Sequence, residues 1–583
     1  MSSNQKANSE SISEIKPGLR TKLKRFFQKF ELTAEAPQNL LTSGLWQIIG
    51  TFLMAILSWL LTVMISREDI GLGASGIGIF NTTLAIISIF TLLTVGMGKS
   101  TSQLVSANIS DKTVAFKHAR NGTFASIITG IIVGCLLISS SFFIGAPLVF
   151  LSEASMSTIL FITGLVMLIT GIRDALVSNL AAVGEYDEIA KTNAIGSLFQ
   201  LLFGLLFVIL IKNSILPNSF LLFLFLFGIM AQTLFASRYL KLLWFNTQIF
   251  RFNHVDRRFL KIMRQGFYFS ITDLIPSGLL GSIILIILLI FTQGAYEYQI
   301  AGAFSIILGY SFGGLIVTGF AWPLITAVAE AYGKKDDNKI RYYLQIIVKI
   351  FFYLTFLILA IDISLSRGII GVFHGSIYLT APTDVWVPFI FVIAAFAVAG
   401  FEYILCGILL GVGKGRSAAV YLGSLCLVTI GVTCLCLWLD IFHENPQINA
   451  SFGFLISTLI MLPFTPYLIK KHIQQKIPFS IGVRSLTALI CTIAVAALLT
   501  WPPLNLIPLS NVFLIILMGL LFIILYLLLL IFFGAISQAD FQLLERKAGE
   551  YGLKNTIDPL LKLLRKLMRI SPFCEREKCL EPQ

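Results

Sequence analysis

The sequence predicts an all-α integral membrane protein with about 14 transmembrane helices. Hydrophobic residues make up 56% of the 583 residues and charged residues only 13%, about half the share that is typical of a soluble domain. Apolar runs recur from Leu40 to Phe533, and each is long enough to cross about 30 Å of hydrocarbon as a helix. Because lipid offers no partner to an unpaired backbone polar group, we expect these runs to be helical.

Fourteen spans can be placed on these runs. Their predicted ranges are 43–65, 73–97, 122–144, 157–183, 190–211, 216–236, 266–291, 298–326, 341–362, 385–411, 417–438, 448–468, 481–500 and 511–533. The first 40 residues contain no apolar core followed by a small-residue cleavage site. We therefore expect the first span, rather than a cleavable signal, to direct insertion.

The lysines and arginines orient these spans. With the N-terminus in the cytoplasm, 38 of the 43 lysines and arginines fall on the cytoplasmic side and three on the other side. A missed or extra span would reverse every later loop, so this bias supports the topology. We expect a multi-pass protein of the cell membrane with both termini in the cytoplasm. The net charge of +13, spread over many loops, indicates anionic membrane lipids as partners rather than nucleic acid.

An internal repeat suggests how the spans are arranged. The segment AVGEYDEIAKTNAIGSL (182–198) returns as LLGVGKGRSAAVYLGSL (409–425) at a shift of 227, which places Gly184 on Gly411. Spans 1–6 therefore look like a copy of spans 7–12, and an even number of spans makes the copies parallel. We expect two six-helix bundles around a central cavity. The predicted division is a basic amphipathic cytoplasmic tail (1–40), a first bundle (41–240), a basic cytoplasmic linker (241–265), a second bundle (266–470), two additional transmembrane helices (480–533) and a basic amphipathic cytoplasmic tail (534–583).

The glycine cluster in 409–425 is not a nucleotide site. Gly413-Lys414 is followed by Gly415, whereas a Walker loop needs Ser or Thr there, and the dinucleotide pattern also fails. We expect a tight turn in which glycine supplies a positive φ. The five histidines are scattered, so we expect no metal site, no cofactor and no enzyme.

Four stretches carry a resemblance to a known family. They are REDIGLGASGIGIFNTTLAI (67–86), GMGKSTSQLVSA (96–107), WPLITAVAEAYGKKDDNKI (322–340) and LCGILLGVGKGRSAAVYLGSL (405–425). The chain resembles the multidrug/oligosaccharidyl-lipid/polysaccharide exporter superfamily over about 40–533. Fourteen spans rather than twelve looks most like its polysaccharide flippase branch. The resemblance implies alternating access without ATP hydrolysis by this chain, a lipid-linked glycan as substrate, and a cavity lined by spans one, two, seven and eight, where Asn81 and Asp273 lie.

Ionisable residues at membrane depth are functional candidates because their burial is costly. Asp273 lies about 13 Å beyond Arg264 at 1.5 Å per residue and precedes Pro276. It is a candidate site for a coupling ion, H⁺ or Na⁺. It could equally cap a broken helix or pair with a lysine.

Two further acids lie at corresponding depths in the two copies. Asp174 maps to position 401, beside Glu402. With Arg173 and Lys349 they are ion-pathway candidates, or they form structural ion pairs between helices, which we favour. Arg67, between spans one and two, could meet a sugar headgroup or belong to a solvated turn. Trp322 could stack on a sugar or anchor span eight at the membrane interface.

The two tails and the start of one span also carry recognisable sequence features. Both tails carry basic amphipathic stretches that we expect to lie on the anionic cytoplasmic leaflet. Cys574 and Cys579 lie in the second tail and are expected to be reduced thiols, and Asn449 begins a glycosylation sequon. The combined reading is a flippase or exporter of lipid-linked oligosaccharide. The alternatives are a multidrug or cation antiporter of the same fold and a non-transporting scaffold for glycan synthesis.

Overall fold

The computed structural model is all-helical in the residues that it describes, which are 36–67, 71–108, 111–143, 156–216, 218–237, 255–273, 279–292, 297–310, 319–379, 384–442, 445–474, 477–500 and 511–536. The helices are α1 (Ala36–Ser66), α2 (Gly73–Ala107), α3 (Lys112–Phe143), α4 (Met156–Ala182), α5 (Tyr186–Lys212), α6 (Phe223–Ser237), α7 (Arg258–Thr272), α8 (Leu279–Phe291), α9 (Glu297–Tyr310), α10 (Ala321–Gly333), α11 (Asp337–Phe373), α12 (Trp386–Gly411), α13 (Gly415–Leu439), α14 (Pro446–Met461), α15 (Phe464–Ile473), α16 (Phe479–Thr500) and α17 (Val512–Phe532). The basic tails and the cysteines Cys574 and Cys579 lie outside the described residues.

Twelve stretches in the described chain are long and apolar enough to cross a membrane as unbroken helices. Two predicted spans, 266–291 and 298–326, are not in this set, and in each the structure describes two shorter helices. The first is α7 followed by α8, and the second is α9 followed by α10. The predicted class of about 14 transmembrane helices is confirmed.

Several helices extend beyond the predicted spans. The second span was expected to end at residue 97, but α2 continues to Ala107, and α11 continues from the predicted end at 362 to Phe373. Ser100, Thr101 and Ser102 in the extension of α2 are buried. The polarity of this segment therefore marks contacts with protein rather than the end of the helix.

The two ends of the bundle differ in charge. We call the end with the turns near Asn108, Gly184, Lys335 and Lys414 the basic end. The other end, with Arg67, Lys212 and His374, is the opposite end. Chain direction alternates between the two ends along α1 to α6. Helices α1–α6 form the first half, and α7–α15 form the second half.

The turn at Gly413, which belongs to the predicted repeat, has a counterpart at Gly184 in the first half. Gly184 has φ +86° and Gly413 has φ +77°, and each follows a helix that ends two residues earlier. The expected positive φ is therefore confirmed in this turn. The helix ends Ala182 and Gly411 are 229 residues apart.

Each half has its own apolar core. In the first half the core includes Leu61, Phe80, Val166 and Phe225. A larger core in the second half surrounds α12, which is buried along most of its length. Helices α16 and α17 pack on α11 at the outside of the second half. This arrangement leaves a contact surface between the halves, the seam, in which α2 lies against α7, α9, α10 and α12.

Candidate functional site: a charge cluster in the seam

The backbones of α2 and α7 approach closely where the two helices cross in the seam. A Cβ atom on Gly96 would lie 2.4 Å from the carbonyl oxygen of Gly266, and one on Gly266 would lie 2.3 Å from Met97 Sδ. Glycine is therefore needed on both helices, because any side chain would push the backbones apart. This close approach places the next turn of α2 directly against the end of α7.

Lys99 and Asp273 meet at that point. Lys99 Nζ donates a hydrogen bond of 2.5 Å to Asp273 Oδ1 and another of 3.1 Å to the Tyr403 hydroxyl, which itself donates to Asp273 Oδ1 at 3.0 Å. The Lys99 ammonium also lies 5.5 Å from the centre of the Trp322 ring. We call Lys99, Asp273, Tyr403 and Trp322 the central cluster. It joins α2 of the first half to α7, α10 and α12 of the second half.

The charges in the central cluster are almost completely removed from solvent. Lys99 is 7% exposed and Asp273 is 3% exposed. Removing an ion from water costs several kcal/mol, and a partner at hydrogen-bond distance offsets that cost only while the geometry holds. Separation of the halves would leave both charges unpaired unless water, a proton or a ligand took the partner's place. The cluster can therefore act as a lock that opens when one of its charges is neutralised.

Further side-chain hydrogen bonds cross the seam towards the basic end. Gln103 Nε2 donates to the carbonyl oxygen of Leu410 at 3.1 Å, and Trp322 Nε1 donates to Ser102 Oγ at 2.9 Å. The hydroxyls of Tyr186 and Thr326 are 2.9 Å apart. Trp322, for which membrane anchoring or sugar stacking was expected, thus joins the two halves. These bonds close the basic end around the central cluster.

A second charged group lies within the first half. Arg173 pairs with the neighbouring Asp174 and donates from Nη1 to Gln232 Oε1 at 3.0 Å, joining α4 to α6. Among the described residues, Asp174 Oδ2 has no hydrogen-bond partner. Of the pairings considered for Arg173, the structure brings it together with Asp174 on its own helix.

The corresponding acid in the second half is also buried. Glu402 is completely buried on α12, and the Tyr421 hydroxyl donates to its Oε1 at 2.9 Å. Its Oε2 has no hydrogen-bond partner in the described chain. At the shift of 229 between the two helix ends, Glu402 corresponds to Arg173, and Tyr403 corresponds to Asp174. The match at a shift of 227, which places Asp174 beside Glu402, stays a prediction.

The remaining predicted residues lie away from the central cluster. Lys349 is half-buried on α11. Asn81 is half-buried on α2 towards the opposite end, and its Nδ2 lacks a hydrogen-bond partner in the described chain. Arg67 follows α1, and its carbonyl oxygen accepts from Gly71 N at 2.8 Å. None of these three contributes to the contact between Lys99 and Asp273.

The halves also meet at the opposite end, through neutral groups. Ser66 Oγ lies 2.7 Å from His374 Nδ1, and the Tyr378 hydroxyl donates to the carbonyl oxygen of Ser66 at 3.2 Å. The rings of Trp59 and Phe373 are 4.8 Å apart. Burial lowers the pKa of His374 to about 3, and the positive charge of Arg67 contributes to the same shift. His374 is therefore neutral in this arrangement.

Lys99 and Tyr403 were missed in the sequence. Lys99 was assigned to a cytoplasmic loop because the apolar run ends at Met97, but it lies eight residues before the end of α2. The stretch from Lys99 to Ala107 contains neither glycine nor proline, so a continued helix was readable there. Tyr403 carries no signal beyond its position beside Glu402, because only the fold brings it to Asp273.

The sequon asparagine is already engaged. Asn449 is 1% exposed in the first turn of α14; its Nδ2 donates to Asp440 Oδ1 at 2.8 Å, and its Oδ1 accepts from Phe442 N at 3.0 Å. Glycosylation would have to break both bonds, so the structure argues against it. In the part of the chain that the structure describes, no group of three His, Cys, Asp or Glu residues is placed to hold a metal ion.

Comparison with known proteins assigns the fold. No protein-family model matches this sequence, and no curated protein matches it either. Among solved structures, a MATE transporter in complex with MaL6 aligns with a TM-score of 0.60 at 14% identity, covering 77% of this chain and 99% of that one. A MOP superfamily transporter from Pyrococcus furiosus, described as having a binding pocket of reversed polarity, aligns at 0.60 and 15% identity, covering 77% and 98%. The chain therefore has the fold of MATE transporters of the MOP superfamily.

Both conformations of this fold are represented among the similar structures. A multidrug resistance MATE family transporter in its outward-facing conformation aligns with a TM-score of 0.59 at 15% identity over 77% of this chain and 97% of that one. The inward-facing conformation aligns at 0.55 and 15% identity over 72% and 95%. Both alignments therefore support the same fold for this chain.

Proposed function

We propose that this protein moves a lipid-linked oligosaccharide across the membrane by alternating access, with its basic end in the cytoplasm. The fold supports a transporter, since the similar structures include outward-facing and inward-facing conformations of one architecture. The distribution of lysine and arginine supports the orientation. One observation supports a lipid-linked cargo, namely an apolar groove at the side of the seam.

The apolar groove has a volume of about 360 Å³ and lies between the first half and the added helices. It is lined by Trp59 of α1, by Ile361, Leu365, Ile369 and Phe373 of α11, and by Ile515, Ile516, Gly519, Leu520 and Ile523 of α17. Its lining is apolar apart from the indole of Trp59. A hydrocarbon chain could lie in it while the attached polar headgroup enters the space between the halves. Helix α17, one of the two helices beyond the paired six-helix halves, forms one wall.

The alternative cargo is a cationic drug. Such a cargo would need an uncompensated acid in the seam, and Asp273 is the acid that lies there. Lys99 already neutralises that carboxylate at 2.5 Å, so the central cluster has no net negative charge to attract a cation. This balance favours the flippase over the antiporter. Protonation of Asp273, or displacement of Lys99 by an anionic headgroup, would release the seam and couple opening to a proton or to the cargo.

Reconstituted protein tests the proposal. Proteoliposomes would carry a fluorescent lipid-linked oligosaccharide, and protection of its headgroup from an external sugar-modifying enzyme would report translocation, with and without an ion gradient. We expect Gly519→Leu to slow translocation, because a Cβ there already lies 3.4 Å from Leu365 Cδ1 and a larger side chain would fill the groove. Leu517→Phe is the matched control on the exposed face of α17.

Each alternative has its own outcome. Efflux of a cationic dye without headgroup translocation would overturn the proposal in favour of the antiporter. If neither activity is observed under any gradient, the remaining alternative is the non-transporting scaffold. Equal slowing by Gly519→Leu and Leu517→Phe would show that the groove is not the path of the lipid.

A further inference from the structure

A cavity of about 270 Å³ opens at the basic end of the seam. Its polar and charged lining comes from Gln103 of α2, from Lys261, Arg264, Gln265 and Tyr268 of α7, and from Arg416 at the start of α13. We call it the cationic cavity. Neither the transporter fold nor the central cluster accounts for its chemistry.

Three cations face this one space from two separate elements. Lys261 and Arg264 belong to a stripe on α7 that continues through Gln265 and Tyr268, because residues three and four apart share a helix face. Arg416 comes from the first turn of α13, whose first N–H groups have no intrahelical acceptor. In the described chain none of the three cations forms an ion pair with a carboxylate at the cavity. Arg258, one turn earlier on α7, pairs weakly with Asp256 instead. The cavity therefore has an uncompensated positive charge.

Two glutamines that line the cavity have buried amide oxygens without hydrogen-bond partners among the described residues. Gln103 is 5% exposed, its Nε2 is committed to the Leu410 carbonyl, and its Oε1 has no hydrogen-bond donor among the described residues. Gln265 Oε1 is buried and unpartnered in the same way. An amide oxygen accepts hydrogen bonds from hydroxyl groups and cannot bind an anion. The Tyr268 ring adds a flat face. Cations for phosphate, acceptors for hydroxyls and an aromatic face together fit a sugar phosphate.

We propose that the cationic cavity binds the phosphorylated sugar headgroup of the cargo at the basic end, before the seam opens. This inference rests on the proposed function, because it assigns the headgroup of the same lipid-linked substrate. Arg264 and Arg416 hold the phosphate, with Lys261 beside them, and guanidinium groups match phosphate oxygens in pairs. Gln103 and Gln265 accept from sugar hydroxyls.

The position of the cavity connects this binding to the lock. Gln103 is one helical turn from Lys99 on α2, and Phe269 is one turn from Asp273 on α7, about 6 Å along each axis. Leu410 is two turns from Tyr403 on α12. A phosphate in the cavity brings negative charge towards Lys99 and competes with Asp273 for the ammonium. The cargo headgroup would thereby loosen the contact that keeps the basic end closed.

Direct binding tests the site with probes that separate sugar phosphate from simple phosphate. The full chain is reconstituted into nanodiscs of neutral phosphatidylcholine, and binding of radiolabelled glucose 1-phosphate is measured in competition with inorganic phosphate and with glucose. We expect glucose 1-phosphate to bind at least about tenfold more tightly than inorganic phosphate, since each additional satisfied polar contact contributes about that factor. Glucose alone should compete weakly.

Variants locate the binding. Arg264→Gln with Arg416→Gln should lower the affinity for glucose 1-phosphate at least about tenfold, because two charge-assisted contacts are lost. Gln265→Leu should keep phosphate binding and lose the preference for the sugar. Lys117→Gln removes an exposed cation from α3 at the same end and should change nothing.

Other results would overturn the assignment. Equal competition by inorganic phosphate and glucose 1-phosphate would indicate a site for phosphate alone, as in a phospholipid headgroup, and nanodiscs with phosphatidylglycerol would then block it. Undiminished binding in the double arginine variant would place the ligand elsewhere. If wild type binds glucose 1-phosphate but does not translocate the headgroup, the proposed function is contradicted and the binding site is still supported. If the double arginine variant translocates as fast as wild type, the proposed function is still supported and the role of the cavity is contradicted.

Discussion

The two ends of the seam are closed by different chemistry. At the basic end, a buried ion pair between Lys99 and Asp273 is surrounded by hydrogen bonds from Tyr403, Gln103 and Trp322. At the opposite end, the described contacts are a Ser66–His374 hydrogen bond, a hydroxyl bond from Tyr378 to a carbonyl and a pair of aromatic rings. No charge is buried in those latter contacts, because His374 is neutral.

This difference gives the two ends unequal opening costs. Opening the opposite end exchanges neutral hydrogen bonds for bonds with water, which costs about 1 kcal/mol each. Opening the basic end separates two buried charges, and that is costly until something else neutralises them. The basic end is therefore the end whose opening a proton or an anion can control.

Breaking the ion pair should have the largest effect. Replacing one partner, by Asp273→Asn or Lys99→Met, leaves the other charge buried and unpaired, so we expect a loss of about 3–5 kcal/mol in the stability of the closed basic end. The double variant Lys99→Met with Asp273→Leu should recover much of this loss because no charge remains. Thermal unfolding in nanodiscs would measure the three variants.

A matched control lies in the first half. Asp174→Asn also removes a buried carboxylate that pairs with a cation, but that pair does not cross the seam. It should lower the unfolding temperature without opening the basic end. An Asp174→Asn variant that opens the basic end as far as Asp273→Asn would remove the special role of the central cluster.

The Tyr403 hydroxyl should have an intermediate effect. Tyr403→Phe keeps the ring against Lys99 and removes one hydrogen bond to each charge, so we expect the closed state to lose about 1.5–3 kcal/mol. Limited labelling of a cysteine introduced in the seam would report this loss as faster modification. Tyr421→Phe, next to Glu402 within the second half, should leave the labelling rate unchanged.

The opposite end should show the smallest effect, and one that depends on pH. Because the pKa of His374 is lowered to about 3 when buried and returns towards about 6.5 when exposed, acid favours the state in which His374 is exposed. Above pH 6.5 the exposed imidazole is also neutral, so protonation does not favour opening. As the pH falls below 6.5, protonation of the exposed imidazole increasingly favours the open state. At pH 5.5 the open fraction of this end should rise about tenfold relative to pH 7.5.

His374→Gln isolates this effect. Arg67 remains charged throughout this pH range, and the carboxylates titrate equally in wild type and in the variant. Spin labels placed across the opposite end would follow the open fraction. A pH response of the same size in His374→Gln would show that another group is responsible.

The sequence predicted the class and the turns better than it predicted the site. Apolar runs and the cation distribution are local signals, so the spans were placed within a few residues at α5, α12 and α13. Gly413 was expected to adopt a positive φ because the turn needs it, and it does. The repeat stays a prediction, because few identities support it and the similar turns at Gly184 and Gly413 are only one point of comparison.

The central cluster could not be assembled from the sequence. Asp273 was recognised by its depth beside Pro276, and a lysine partner was one of the alternatives. Lys99 was hidden because a hydropathy profile ends a span where polar residues begin, whereas here those residues are buried against the second half. The pairing joins residues 174 positions apart, and only the crossing of α2 and α7 at Gly96 and Gly266 brings them together.

The central claim is that the ion pair between Lys99 and Asp273 holds the basic end closed. Its most direct test is a spin-label distance measurement across that end, with one label on Lys117 of α3 and the other on Lys335, in a background without the native cysteines. We expect a single short-distance population in wild type and a second, longer population in Asp273→Asn, which the Lys99→Met and Asp273→Leu double variant largely removes. An unchanged distance distribution in Asp273→Asn would contradict the account.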